Sequence, residues 1–415
     1  MSAETFDLLR ERTAPGTALA AKLAGGGAVE EAAEGARVRL SDGREAIDFG
    51  AYGVTLLGHR HPAVVAAVED QLRRMPTATR LLANAETAAF AEELAARFDL
   101  GGTRVWLGSD GADAVEAALK LARRASGRMR VLAVEGGFHG KTLGALALTW
   151  NPAFREGLEP LLAAVTHIDP QDAGAVARET AAGDVAALVF EPRQGEGGAR
   201  ALGLEILRRW ARDARAAGAF VISDEVQAGL RRCGPPSVAL EAGVEIDALL
   251  FGKALGGGVM PLSAVVAGER LFEPLRTDPT FHTATFAGHP LACAAGRAAL
   301  RANDELAASA AILGARLERE LDRLAAAHPE VVVTVHGAGL MHALELATPA
   351  MAGSMLLDLA QAGLLVSPCL SAPSSLRLLP PMVTGDDELD TALELLDGTL
   401  AVARRFAPAA VEVAS

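Results

Sequence analysis

Three apolar runs of the sequence each lead into a polar group that could do chemistry. The first leads into the turn Ser109-Asp110-Gly111, the second ends at Asp224, and the third is followed by Lys253. A lysine usually occupies a solvated helix face, whereas a desolvated ammonium loses its proton readily and becomes a nucleophile. A turn of small residues at a helix start offers free backbone N–H groups and the positive end of the helix dipole, which favour a phosphate. Taken singly, the turn and the acid are also explained by ordinary helix capping.

Together the three groups match the needs of one cofactor, pyridoxal phosphate. A lysine attaches the cofactor, an acid pairs with its pyridine nitrogen and keeps it protonated, and a helix N-terminus holds its phosphate. The protonated ring then stabilises negative charge on a substrate carbon. The sequence therefore indicates that Lys253, Asp224 and the helix start at Gly111 serve this cofactor.

The elements that must position these groups alternate between strands and helices. Segments of helical period, such as residues 112–126 and 204–217, lie between most of the β-rich runs. Continuous apolar strands separated by helices are typical of a doubly wound, mostly parallel sheet that binds ligands beyond the carboxyl ends of its strands. The predicted strands are residues 103–108, 130–136, 185–192, 219–226, 247–253 and 262–268.

The pattern predicts an α/β fold in three parts. Residues 1–45 form an N-terminal arm, with one short amphipathic helix and one strand, that contributes to the smaller domain. Residues 46–300 form the large domain, and residues 301–415 form a smaller α+β C-terminal domain. The strand at 262–268 follows the preceding strand after a short loop, which leaves an antiparallel edge pairing open.

Composition excludes several classes of protein. The chain has 415 residues and a formal net charge of −13, whereas a nucleic-acid surface needs clustered lysine and arginine. Cys233, Cys293 and Cys369 are far apart without CxxC spacing, which excludes a disulfide framework and fits a reducing compartment. No apolar run approaches the roughly 18 residues of a membrane helix, and the N-terminus is too charged for a secretory signal. We expect a soluble cytoplasmic protein with no nucleic-acid or membrane partner.

Longer motifs carry a resemblance to a known family. The runs Val221-Ile222-Ser223-Asp224-Glu225-Val226-Gln227 and Gly252-Lys253-Ala254-Leu255-Gly256-Gly257-Gly258 resemble those of class III (ornithine-type) aminotransferases. The motif Phe138-His139-Gly140-Lys141-Thr142 is most similar to the putrescine and acetylornithine branch. The resemblance implies an α/β, fold type I pyridoxal-phosphate-dependent transferase, with a large mostly parallel-sheet domain and a smaller α+β C-terminal domain.

The resemblance also implies a role for each matching residue. Lys253 is the covalent cofactor lysine and the proton carrier, and Asp224 pairs with the pyridine nitrogen. Arg377 binds the carboxylate of a 2-oxo acid, and Glu196 neutralises Arg377 when an amine without that carboxylate enters. The other implied cofactor contacts are the backbone of Gly111 and Ala112 at the phosphate, Phe138 and Val226 on the two ring faces, Gln227 at the ring hydroxyl, Glu191 near the acid pair, and Thr285 at the phosphate of the neighbouring subunit in a homodimer with shared active sites.

Two positions bear on the choice of amino donor. Lys141 stands where acetylornithine and ornithine enzymes typically place an arginine that binds the substrate α-carboxylate, and lysine cannot form that planar bidentate pair. Tyr52 is the only tyrosine available to line the pocket. We therefore expect small-molecule substrates: a primary amine or ω-amino compound (diamine or ornithine-like) as donor, and 2-oxoglutarate as acceptor, by a ping-pong mechanism.

Other interpretations stay open. An aminomutase or decarboxylase of the same fold, or an acetylornithine-type aminotransferase, would share the cofactor site, although Glu196 together with Arg377 favours a two-substrate transaminase. A nicotinamide-dependent oxidoreductase is excluded because no GxGxxG follows an early strand. His59 and His61 have the HxH spacing of metal ligands, but no third ligand lies nearby, so we expect no metal. We expect His139 to pack along the cofactor rather than act as a base.

Overall fold

The chain folds around one large sheet and several smaller ones, as the computed structural model shows for residues 2–162 and 164–406. The strands are β1 Glu30–Glu34, β2 Arg37–Leu40, β3 Glu45–Asp48, β4 Arg104–Gly108, β5 Arg130–Val134, β6 Val165–Ile168, β7 Val185–Phe190, β8 Arg193–Gln194, β9 Arg200–Ala201, β10 Phe220–Asp224, β11 Ala248–Phe251, β12 Ser263–Ala267, β13 Val332–Ala338, β14 Met341–Leu346, β15 Leu364–Leu365, β16 Ser367–Pro368 and β17 Ser375–Leu378. The α-helices are α1 Ser2–Arg12, α2 Pro15–Ala24, α3 Pro62–Arg74, α4 Ala85–Arg97, α5 Gly111–Ser126, α6 Leu143–Leu148, α7 Ala175–Thr180, α8 Leu204–Ala216, α9 Val238–Glu241, α10 Glu269–Thr277, α11 Pro290–Glu305, α12 Ala307–Ala327, α13 Pro349–Ala362 and α14 Asp386–Ala403.

The central sheet has seven strands in the order β4-β12-β11-β10-β7-β5-β6. The five strands from β11 to β6 are parallel neighbours, whereas β12 runs antiparallel to both β4 and β11. All six predicted strands form, and the antiparallel pairing left open for the last of them is present. Strand β6 was not among them because three of its four residues are only half-buried, so it lacks a continuous apolar run.

The sheet is covered on both faces because successive side chains of a strand point to opposite sides. Every residue of β7 is buried; Leu188 and Phe190 enter one hydrophobic core, and Ala187 and Val189 enter the other. Helix α5 covers the second face largely with buried alanines, whose small side chains allow it to lie close to the strands. This packing fixes the strand ends, from which the candidate site is built.

Two four-stranded sheets, β1-β2-β3-β15 and β13-β14-β17-β16, and the two-stranded antiparallel sheet β8-β9 complete the fold. Strand β3 pairs in parallel with β15, so the N-terminal strands and the C-terminal region share one sheet. The N-terminal arm was predicted with one helix and one strand, and that prediction is wrong. It contains two helices, because Pro15 takes the first position of a new helix α2, and the strands β1 and β2 precede β3.

The helices of the described residues are too short or too polar to cross a membrane. The long helix α12, for example, carries charged residues between Arg316 and Arg323.

Candidate active site

The carboxyl ends of neighbouring strands bring separated groups to one edge of the central sheet. Strand β10 ends at Asp224, and Lys253 lies just beyond the end of β11. Because the two strands are parallel neighbours, both side chains lie at the same edge. A cavity of ≈ 190 Å³ lies there, and we call it the catalytic cavity. It is lined by Gly111, Ala112, Phe138, His139, Gly140, Glu191, Asp224, Val226, Gln227 and Lys253.

His139 holds the carboxylate of Asp224 in place. Its Nδ1 lies 2.7 Å from Oδ2 of Asp224, and Oδ1 accepts a hydrogen bond from the N–H of Val226 at 3.1 Å. Both side chains are buried. Burial alone would lower the pKa of His139, but the hydrogen bond and charge of Asp224 raise that pKa above its ordinary value. These two hydrogen bonds fix the position of the Asp224 carboxylate in the cavity.

Glu191 adds a second carboxyl group to the catalytic cavity. Its oxygens accept hydrogen bonds from the N–H groups of Phe138 at 2.8 Å and Gly195 at 3.1 Å. Burial raises the pKa of Glu191 to about 7 despite the nearby imidazole of His139. A proton held there near neutral pH reduces the repulsion between Glu191 and Asp224.

Lys253 lies in an environment that favours its uncharged form. Burial lowers the pKa of its ammonium group against the opposing charge of Glu196, and the charge of Arg377 acts in the same direction as burial. Its backbone has φ 42°, a left-handed conformation that non-glycine residues rarely adopt. Strain of this kind is concentrated at functional sites, where the surrounding structure imposes it.

Arg377 on β17 forms a buried charge pair beside the catalytic cavity. Its Nη2 donates to Oε1 of Glu196 at 2.7 Å, and its Nη1 donates to Oε1 of Gln227 at 2.9 Å. The other carboxylate oxygen of Glu196 accepts from the N–H of Leu370 at 3.0 Å. Burial alone would raise the pKa of Glu196, but Arg377 holds that pKa below its usual range. The two side chains therefore neutralise each other as a charged pair.

The start of α5 is suited to a phosphate. Asp110 caps the helix by accepting from the N–H of Asp113 at 3.0 Å, while the N–H groups of Gly111 and Ala112 in the first turn have no partner within the helix. A Cβ at residue 111 would lie 2.8 Å from Val226, so only glycine allows this approach. A free helix start, a buried carboxylate and a lysine around one cavity form the set of groups that pyridoxal phosphate requires, and the residues present fit it.

Lys141 and Phe154 lie at the edge of the catalytic cavity. Lys141 follows a lining glycine, is exposed, and places its Nζ 3.9 Å from the centre of the Phe154 ring. That ring packs edge-on against Phe138, with ring centres 6.3 Å apart. Asn151 Nδ2 donates to the carbonyl of Leu370 at 2.8 Å, which joins this segment to the loop beside Glu196. We call Lys141, Asn151, Phe154 and Leu370 the donor rim.

Tyr52 and Thr285 were assigned to the site, but both are exposed and neither lines the catalytic cavity of its own chain. Tyr52 has a side chain that is 70% exposed, on a left-handed backbone with φ 51°. Thr285 is exposed in a turn before α11. The roles of Tyr52 in the pocket and of Thr285 at a neighbouring subunit stay predictions. The remaining assigned residues, apart from Lys141 at the rim, line the cavity or form the adjoining Arg377–Glu196 pair.

Two contacts were not anticipated from the sequence. The His139–Asp224 hydrogen bond joins residues 85 positions apart, and no local pattern indicates it. Phe154 belongs to a short 3₁₀ turn, Pro152–Phe154, that carries no motif.

Of the HxH pair, His59 is hydrogen-bonded to Asp48 at 2.8 Å. Within residues 2–162 and 164–406, no group of three or more His, Cys, Asp or Glu is placed to hold a metal ion.

A parallel-rich sheet whose strand ends bring a lysine, a carboxylate and a helix start around one cavity defines a fold type I pyridoxal-phosphate-dependent transferase. Residues 26–400 match the family Aminotransferase class-III, and the chain belongs to this family. It is therefore an aminotransferase with pyridoxal 5′-phosphate as cofactor.

Similar proteins act on several amino donors. The chain is 37% identical to a putrescine aminotransferase of Pectobacterium atrosepticum, over 93% of this chain and 86% of that protein. It is 38% identical to an acetylornithine aminotransferase of Methanopyrus kandleri, over 88% and 92% of the two chains. An ornithine aminotransferase structure from Toxoplasma gondii, with pyridoxal phosphate at partial occupancy in its active site, superposes with a TM-score of 0.85 at 31% identity over 91% of each chain.

Proposed function

We propose that the protein moves an amino group from a primary amine or ω-amino compound to 2-oxoglutarate, in two half reactions at one site. The buried Arg377–Glu196 pair beside Lys253 carries this proposal. While the pair is closed, the guanidinium is neutralised and an amine without a carboxylate can enter. When Glu196 turns away, Arg377 becomes free to bind a carboxylate of the 2-oxo acid through two parallel hydrogen bonds.

The residues of the catalytic cavity divide the chemical work. Pyridoxal phosphate supplies an aldehyde that takes up the amino group and a ring that stabilises negative charge on the neighbouring carbon. Asp224, fixed by His139, holds a proton on the pyridine nitrogen through charge and hydrogen bonding. The Nζ of Lys253, whose pKa is lowered by burial, would with the cofactor bound take a proton from the substrate carbon that bears nitrogen and later return it.

Backbone and apolar groups hold the cofactor for this chemistry. We assign the phosphate to the N–H groups of Gly111 and Ala112, and the two ring faces to Phe138 and Val226. Gln227 is assigned to the ring hydroxyl. Support for these roles comes from the lining of the catalytic cavity and from the family motifs.

The donor class follows from the donor rim. Lys141 offers one ammonium group where a bidentate guanidinium would favour an α-carboxylate, and that ammonium already lies over the Phe154 ring. When lysine replaces arginine at this position, a donor that lacks an α-carboxylate loses less binding free energy than an α-amino acid does. Similarity to a putrescine aminotransferase agrees with this assignment, and the comparable similarity to an acetylornithine aminotransferase makes a comparison of donors the deciding measurement.

The proposal is tested by separating the two half reactions. The purified holoenzyme is titrated with putrescine, 4-aminobutyrate, ornithine or N-acetylornithine, without any acceptor, while the cofactor absorbance reports its conversion from the aldehyde to the amine form. We expect conversion by an amine or ω-amino donor, and reversal by 2-oxoglutarate in preference to pyruvate. Release of carbon dioxide, or an isomerised donor with no need for an acceptor, would instead identify a decarboxylase or an aminomutase.

We also propose a cytoplasmic homodimer in which Thr285 completes the partner's site. The support is that Thr285 and the neighbouring Phe286 are exposed on one chain, and Phe286 is 62% exposed. All three cysteines are free and buried, which suits a reducing compartment. Mixed subunits of inactive Lys253→Ala and inactive Thr285→Ala should recover activity, because one site of the heterodimer keeps both residues. No recovery under conditions proven to exchange subunits would contradict the shared site.

A further inference from the structure

We propose that Phe154 is a specificity-determining residue that acts through Lys141. Its ring holds the Lys141 ammonium at the donor rim, so that this charge neither grips a donor α-carboxylate nor repels the second amino group of a diamine. The inference rests on the proposed function, because it concerns the choice of donor at the same site. Phe154 is a positioning residue in this scheme and does not take part in the chemistry.

The composition of the chain makes a lysine at position 141 informative. The sequence has 39 lysine and arginine residues, and its lysines are only Lys22, Lys120, Lys141 and Lys253. A chain with this bias would readily carry arginine at 141, so composition does not account for the lysine there. An arginine stacked on a ring still presents its planar N–H edge to a carboxylate, whereas a lysine over a ring directs its single charge at the ring face.

The position of the Phe154 ring is fixed from two sides. Its edge-on contact with Phe138 connects it to the catalytic cavity. Asn151 caps the 3₁₀ turn that carries Phe154 and also donates to the carbonyl of Leu370, whose N–H in turn donates to Glu196. Hydrogen bonds therefore connect the turn that carries the ring to Glu196, the residue that neutralises Arg377. Lys141, by contrast, is an exposed and flexible side chain, and its ammonium has this fixed aromatic face within 3.9 Å.

Loss of the ring should change donor preference in one direction. In Phe154→Leu the Lys141 ammonium becomes free to pair with a donor carboxylate or to repel a second ammonium group. The ratio of kcat/KM for putrescine to kcat/KM for N-acetylornithine should then fall by about two- to fivefold, the range expected for an exposed cation–π contact. The change should lie mainly in KM, because the reacting groups in the catalytic cavity are untouched.

The first experiment measures this ratio in two backgrounds. Phe154→Leu and Phe154→Tyr are each made with Lys141 and with Lys141→Met. We expect the leucine variant to lower the ratio only when Lys141 is present, and the tyrosine variant, which keeps the ring, to retain the wild-type ratio. The lost contact with Phe138 acts on both donors alike and persists in the Lys141→Met background, so it cancels. An equal change in both backgrounds, or no change in either, overturns the inference.

The second experiment observes the contact without turnover. The lysines of the holoenzyme are reductively dimethylated with ¹³C-formaldehyde and an amine–borane reductant, and the Lys141 resonance is identified by its loss in Lys141→Met. We expect an upfield ring-current shift that disappears in Phe154→Leu and persists in Phe154→Tyr; a resonance insensitive to Phe154→Leu overturns the inference. A wild-type preference for N-acetylornithine over putrescine would contradict the proposed donor class alone, because the inference concerns the change in the ratio and the Lys141 shift.

Discussion

The catalytic cavity and the donor rim lie side by side but are held together by different forces. In the cavity, Asp224, His139 and Glu191 are buried and joined to the fold by hydrogen bonds. At the rim, Lys141 is exposed, and its charge meets an aromatic face. Removing one partner from a buried charged network leaves an unpaired group without water, which costs several kcal/mol, whereas an exposed contact contributes about 1 kcal/mol or less.

This difference separates what the site does from what it acts on. The buried network can hardly change without loss of folding or chemistry, so it maintains the cofactor chemistry that every donor requires. The rim can change at small cost, so donor choice can drift there while the reaction stays the same. We therefore predict that substitutions in the cavity lower kcat/KM for every donor. Substitutions at the rim should instead change the ratio of kcat/KM between donors.

Lys253→Ala should produce the largest effect, a loss of turnover of at least ~10⁴-fold with every donor, because covalent attachment and proton transfer are removed together. The variant should remain folded, since alanine avoids burying a charge. Turnover of putrescine and cofactor retention after gel filtration provide the measurement, with Lys22→Ala, an exposed lysine in α2, as the matched control. Substantial residual activity, or a borohydride adduct on another lysine, would show that the assignment is wrong.

Asp224→Asn should lower turnover by the next largest amount. Without the carboxylate, the pyridine nitrogen loses roughly 3 pKa units of proton affinity, which corresponds to about 4 kcal/mol or 10³-fold in rate if the protonated ring is required. Cofactor should still bind, and the loss should be similar for all donors. The matched control is Asp48→Asn, which weakens another carboxylate–histidine pair outside the cavity, the partly buried contact of Asp48 with His59. Comparable losses in both variants would argue for a structural effect.

The sequence predicts the cavity better than the rim for a physical reason. Asp224 and Lys253 follow continuous apolar runs, and such runs report burial locally, so the strand ends and the residues on them are predictable. Arg377 and Glu196 are 181 positions apart and were assigned from family resemblance alone. The His139–Asp224 bond and the contact of Lys141 with Phe154 depend on where loops meet in space. The periodicity of the sequence does not indicate where loops meet. Strand β6 was missed because its residues are mostly half-buried and form no continuous apolar run.

Glu196→Gln tests whether the buried Arg377–Glu196 pair, which lies between the catalytic cavity and the donor rim, affects the two half reactions differently. It leaves the Arg377 charge buried without a neutralising partner, so entry of a donor without a carboxylate should become less favourable by about 1.5–3 kcal/mol, roughly 10- to 150-fold in kcat/KM. The half reaction with 2-oxoglutarate should change much less, because its carboxylate supplies the missing charge. Single-turnover rates of each half reaction measure the two effects. Glu345→Gln, which removes the carboxylate paired with the partly exposed Arg200, serves as the control.

If Glu196→Gln slowed both half reactions equally, the pair would act as a structural support rather than as a gate. Glu196 would then contribute to the reaction with every substrate and not to the choice of donor. A large effect confined to the half reaction with the amino donor would show that the buried Arg377–Glu196 pair also takes part in donor selection.

Lys141→Arg should have the smallest effect on the reaction itself and a selective effect on donors. A guanidinium can form two parallel hydrogen bonds with an α-carboxylate, whereas an ammonium offers one at most, so the gain is about 1–2 kcal/mol or roughly five- to thirtyfold. We expect kcat/KM for ornithine and N-acetylornithine to rise by that factor, while putrescine and 4-aminobutyrate change little. The folded state should be unaffected, because residue 141 is exposed. A wild-type preference of tenfold or more for N-acetylornithine, unchanged in Lys141→Arg, would show that donor choice is not set at the rim and would remove the contrast between the two regions.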